Sequence, residues 1–134
     1  MSYSLYLIRF EHGDAAAMDG ELFDEVIGPH VVKREPEHGF VQIRTEDGGE
    51  ADLYATANAG PALMSIMVSC FSSGPVLDVV AGLANRLDAA IVLQEGVALV
   101  SETDRWNDLP EVLRQDAKVV GLCGDAIQAA INGI

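Results

Sequence analysis

The sequence predicts an α+β fold: a single two-layer domain over residues 1–134, with a mainly antiparallel sheet and helices packed largely on one face. Three observations predict it. Short turn motifs, Asp47-Gly48 and Gln94-Glu95-Gly96, join runs of alternating or apolar residues in the manner of hairpins. Other stretches repeat their apolar residues at three- or four-residue steps, the period of a helix with one buried face. The chain has 134 residues, 49% hydrophobic and 22% charged, which suits one core and lies outside the compositions that stay disordered.

Tyr3 to Phe10 is rich in aromatic and branched side chains and predicts a well-covered first strand. Asp14 to Ile27 places Ala15, Met18, Leu22 and Val26 at helical spacing, which predicts an amphipathic helix capped by Asp14 and ended by Gly28-Pro29. Val31 to Gly39 is charged and contains Pro36, so it reads as a loop. Phe40 to Thr45 and Ala51 to Thr56 flank Asp47-Gly48 and predict a hairpin. In its first arm Val41 and Ile43 alternate with Gln42 and Arg44, so one face is buried and the other is wet or faces a partner. A loop at Asn58 to Pro61 leads to a strand over Leu63 to Phe71. Its apolar face carries Met64, Ile66, Val68 and Cys70, and its other face carries Ser65, Met67 and Ser69.

Pro75 in a first turn, Asp78 near the positive end of the dipole, and Val76, Val79, Val80, Leu83 and Leu87 at helical spacing predict a second helix. Ala89 to Leu93 and Val97 to Ser101 predict a second hairpin. Asp108, Pro110 and Glu111 resemble a capping box that opens a helix. Helical spacing runs on from Val119 to Ile131, with Gly121 and Gly124 as points of weakness.

Composition also narrows function. Eight Lys and Arg face 21 Asp and Glu, a formal charge of −13, which opposes nucleic acid as a partner. The uncharged run from Leu53 to Leu77 is broken by Gly and Pro, so a membrane span is not expected. The N-terminal residues lack the pattern of a secretory leader, which predicts a cytoplasmic protein. Cys70 and Cys123 sit in apolar stretches and read as buried thiols. Hydrolase elbows, metalloprotease helices, phosphate loops and dinucleotide fingerprints are all missing, so the sequence assigns no catalytic residue, metal or cofactor. His12 between Glu11 and Asp14 is the one weak metal-like grouping, and a solvated turn explains it better.

The remaining signal is charge. Glu11 to Glu25 holds six carboxylates and no Lys or Arg. Such a field steers basic partners, and Asp19, Glu21, Asp24 and Glu25 are the candidate contact residues. Trp106, the sole tryptophan, stands between Asp104 and Asp108 and would make an aromatic anchor with an acidic rim if exposed. The Ser2 to Tyr6 strand, the Val76 to Leu87 helix and the Ala89 to Gly96 run resemble small bacterial proteins of the toxin-immunity kind. An Asp-Pro-Gln-like turn that such proteins often carry after the helix is missing here, so no functional residue carries over. The acidic faces, with the resemblance adding weight to an interaction role, point to a non-enzymatic, immunity-like or regulatory module that binds a basic protein. The alternative is a small-molecule-binding domain or small enzyme with a pocket between sheet and helices. A homo-oligomer built through an exposed sheet face, the Gln42/Arg44 side or the Ser65/Met67 side, is a third reading.

Overall fold

The computed structural model describes residues 3–57 and 63–133. They form an α+β fold with five helices and one nine-stranded, mostly antiparallel sheet. The strands are β1 (Ser4–Glu11), β2 (Asp14–Ala16), β3 (Val31–Glu35), β4 (Phe40–Arg44), β5 (Glu50–Ala57), β6 (Leu63–Ser69), β7 (Ala90–Leu93), β8 (Ala98–Val100) and β9 (Lys118–Val119). Their spatial order is β3-β4-β5-β6-β1-β7-β8-β9, with β2 paired to the far end of β1. The first strand is therefore central, flanked by β6 and β7. Only β8 and β9 run parallel among the described pairs.

Leu5, Leu7, Val41, Ile43, Leu53, Ile66, Val68 and Ile91 project to one face, where they meet α1 (Gly20–Ile27), α2 (Pro75–Arg86) and α5 (Gly124–Asn132) in the main core. The short helices α3 (Thr103–Asp108) and α4 (Glu111–Arg114) lie on the opposite face. There Leu109, Trp106 and Leu113 pack with Ala90, Val92, Ala98 and Val100 as a second, smaller core. Helices thus cover one face broadly and the other only at its β7–β8 end.

Both expected hairpins form. Thr45 and Gly49 close the β4–β5 turn, with Thr45 N–H donating to the Gly49 carbonyl at 2.9 Å, and Gly48 takes the positive φ the turn requires. Leu93 and Val97 close the β7–β8 turn in the same way at 2.8 Å. The expected second helix is also present, opening at Gly74-Pro75.

Five expectations need correction. The helix expected from Asp14 begins only at Gly20. His12 and Gly13 both adopt positive φ, the geometry of a two-residue hairpin turn, so the chain doubles back as β2 and Asp14 pairs with Glu11. Asp19, not Asp14, caps the helix, accepting from the Glu21 and Leu22 amides. Val31 to Glu35 is an edge strand rather than a loop. Pro36 follows its last residue, and an edge tolerates its charges. Asp108 ends α3 instead of opening a helix, and Pro110 precedes α4 with no side-chain cap. The C-terminal helical spacing is interrupted: Lys118–Val119 pairs with β8, and α5 starts at Gly124. Cys70 and Cys123 are exposed, since β6 ends at Ser69, with Cys70 in the left-handed region, and Cys123 precedes α5. The loop expected at Asn58 to Pro61 lies outside the described residues.

Asp78 does more than complement its own helix. Its Oδ1 accepts the Gly124 amide at 2.7 Å, which caps α5 from α2. A Cβ at Gly124 would stand 2.8 Å from that oxygen, so glycine lets the two helices meet.

Candidate functional site

Where the start of α1 meets the β3–β4 edge of the sheet, the fold leaves an open cleft of 760 Å³. Its floor is apolar: Met18, Phe23, Val41 and Leu63 are all buried side chains. Met18 is held there by a pair of backbone hydrogen bonds to Leu63, at 2.7 and 3.3 Å, which pins the segment before α1 to the start of β6. Gly39 forms part of the far wall. It sits at φ +65°, its carbonyl accepts from Ala55 N–H at 2.9 Å, and a Cβ there would come within 2.5 Å of the Ala55 carbonyl oxygen. Only glycine permits that approach of β5 to the turn before β4.

Carboxylates form the rim. Asp19, Glu21 and Asp24 line the cleft, with Arg34 of β3 opposite. Asp19 is partly committed to structure, because its Oδ1 accepts the Glu21 amide at 2.8 Å. Asp24 pairs with Arg34 at 3.3 Å, but both side chains are well exposed, at 61% and 42%. Such a pair contributes at most about 1 kcal/mol and is readily exchanged for another partner. Glu21 is exposed and enters no ion pair among the described residues. Glu25, grouped with these three in the sequence, is absent from the cleft lining and approaches Arg86 of α2 at 3.8 Å.

The second candidate group lies across the sheet and does not join the first. Trp106 is half-buried in the smaller core, and the Arg114 guanidinium stands over its ring at 5.8 Å. Asp108 is tied to the β1–β2 turn: its Oδ1 accepts from His12 N–H at 3.3 Å and its carbonyl from Gly13 N–H at 2.8 Å. Asp104 is exposed and lines a smaller pocket of 260 Å³ with Asp108, Arg9 and Arg105. Arg105 is itself paired to Asp88 at 2.6 Å. These contacts cross-link the corner and leave Asp104 exposed at the rim of its pocket.

Arg34, Gly39 and Phe40 complete the cleft and were missed by sequence reasoning, because β3 reads as a loop. The signal was present in Val31-Val32 and in the basic pair Lys33-Arg34, a common guard of sheet edges. Among the described residues, no group of three or more His, Cys, Asp or Glu side chains is placed to hold a metal ion. Among the described residues two titratable groups are clearly moved by the fold, and neither lines the cleft. Burial and a hydrogen bond to Glu95 push the Tyr3 phenol up to about 12, while hydrogen bonds from Thr45 and the Gly49 amide hold the Asp47 carboxyl below its usual value. No helix among the described residues is long and apolar enough to cross a membrane.

The chain matches no family model, no curated protein and no solved structure.

Proposed function

We propose that this protein is a non-enzymatic interaction module of the cytoplasm that takes a basic segment of a protein partner into the cleft beside α1, as an antidote or regulatory subunit would. The observation that carries this reading is an apolar floor rimmed by Asp19, Glu21 and Asp24 on a chain of formal charge −13. Each part has its task. The overall field speeds encounter with a cationic partner, and the rim orients it. Met18, Phe23 and Val41 accept its apolar side chains, where desolvation supplies most of the affinity. A Lys or Arg of the partner would share Asp24 with Arg34 or pair with Glu21. The resemblance to toxin-immunity proteins supports the same reading.

The test is affinity capture from native lysate with the wild-type chain and the Glu21→Lys/Asp24→Lys double variant, each at low salt and at about 0.5 M salt, where screening shortens to a few ångström. A basic protein held by the wild type, lost to salt and lost to the double variant is the expected result. A partner that both chains retain equally would refute the assignment to this cleft.

The cleft volume also falls in the range of about 300–1,000 Å³ typical of small-molecule sites. That favours a cationic, partly apolar metabolite as the second reading. Thermal stabilisation by such compounds, removed by the same double variant, would shift the assignment to it.

A further inference from the structure

Among the described residues that line the α1 cleft, Arg34 is the one Lys, Arg or His, and an irregularity in strand pairing puts it there. Val31 pairs with Ile43 and shares its core-facing side, yet the next pair between β3 and β4 is Lys33 with Gln42. Val32 is thereby an extra residue, 48% exposed. In a regular strand Lys33 would share the face of Val31, and Arg34 would take the other. The bulge reverses that order. Arg34 stands opposite Val41, a buried residue of the cleft floor, and its guanidinium reaches Asp24 of α1 at 3.3 Å. Bulges recur beside binding sites, where they re-aim a side chain. Guarding the sheet edge needs no such device, since either cation protects an edge on either face.

We propose that Arg34 is a resident cation, held on Asp24 until a Lys or Arg of a basic segment displaces it and takes the same seat. This rests on the reading of the cleft as a receptor for basic segments. The pair joins the two walls, Asp24 from α1 and Arg34 from β3. Both side chains keep contact with water, at 61% and 42%, so the pair opens readily. Exchange of one cation for another on Asp24 adds little affinity by itself. The net gain then comes from apolar groups that enter over Met18, Phe23 and Val41, so a ligand that is cationic but not apolar binds poorly. The resident pair also lowers the apparent affinity of every basic ligand in proportion to the fraction of chains whose Asp24 is free.

The experiment is fluorescence anisotropy of a labelled peptide of alternating Lys and Leu, in about 0.15 M salt, where charge beyond about 8 Å is screened. It is titrated with the wild-type chain, Arg34→Gln, Asp24→Asn and the Asp24→Asn/Arg34→Gln double variant, each checked for folding by circular dichroism. Arg34→Gln should tighten binding about two- to fivefold, the worth of one exposed ion pair. Should that variant fail to fold, Arg34→Ala repeats the test. Arg44→Gln removes an equal charge from a pair with Glu50 outside the cleft and should tighten binding less than about 1.5-fold. In the Asp24→Asn background the gain from Arg34→Gln should fall to that same level. A gain that is absent, that persists in full without the Asp24 charge, or that Arg44→Gln matches would overturn the proposal and leave the cleft reading standing. A peptide that no chain binds, or that Glu21→Lys/Asp24→Lys binds as tightly as wild type, would overturn the cleft reading and this proposal with it.

Discussion

Two acidic regions that look alike in the sequence are put to different use. Around α1, Asp19, Glu21 and Asp24 ring an open apolar floor; Asp19 caps the helix and Asp24 makes only a well-exposed pair with Arg34. Around α3, Asp108 holds the β1–β2 turn, Asp88 holds Arg105, and Trp106 is packed beneath Arg114. Local charge density therefore says little about availability. What separates the regions is the backbone beside them: the start of α1 and the β3–β4 edge leave a cleft of 760 Å³, whereas at the α3 corner the β1–β2 turn is hydrogen-bonded to Asp108 and the pocket is only 260 Å³.

The most severe way to break the α1 side is through its wall. Gly39→Ala places a methyl against the Ala55 carbonyl in a left-handed conformation, and the expected loss is about 3 kcal/mol by denaturant unfolding. The α3 corner responds to a different change. Trp106→Ala should cost about 2 kcal/mol of stability, less than a fully buried tryptophan, yet leave partner binding intact. A binding loss comparable to that of Glu21→Lys/Asp24→Lys would make the corner part of the interface and erase the distinction.

Asp19 sharpens the comparison because it belongs to both categories. Asp19→Ala removes the cap and should cost about 1 kcal/mol, whereas Asp19→Asn keeps an acceptor for the Glu21 amide and should stay within about 0.5 kcal/mol. Both variants should bind a basic partner less tightly, which separates charge from cap. A further effect lies far from either region and shows only in alkali. The folded Tyr3 phenol ionises near 12 against an ordinary 10.0, so the fold favours the neutral form. Its contribution to stability is complete below pH 10 and is lost as pH rises through about 12. Denaturant unfolding on either side of pH 10 should show that decline in the wild type and a shallower one in Tyr3→Phe.

Much of this architecture was legible from local chemistry. Asp47-Gly48 dictates its turn, Gly74-Pro75 starts its helix, and Val41 and Ile43 alternate as a half-covered strand must. The errors share one cause, which is that neighbours distant in sequence decided the outcome. The alanines after Asp14 suit a helix, but pairing with β1 satisfies their backbone and makes them a strand. Val119 continues a helical period, yet β8 offers it an edge. The carboxylates of the site were visible as composition. The cleft was not, because its floor brings Met18, Val41 and Leu63 together from three separate elements.

The central claim is that the α1 cleft receives a basic segment. Its most direct test is backbone amide NMR of the intact chain during titration with a synthetic peptide of alternating Lys and Leu, at low salt and again at about 0.5 M salt. The account predicts shifts concentrated at Met18 to Asp24 and at Arg34 to Val41, reduced by salt and absent in Glu21→Lys/Asp24→Lys. Shifts centred on Asp104 to Asp108, or spread evenly over the acidic surface and untouched by the double variant, would contradict it.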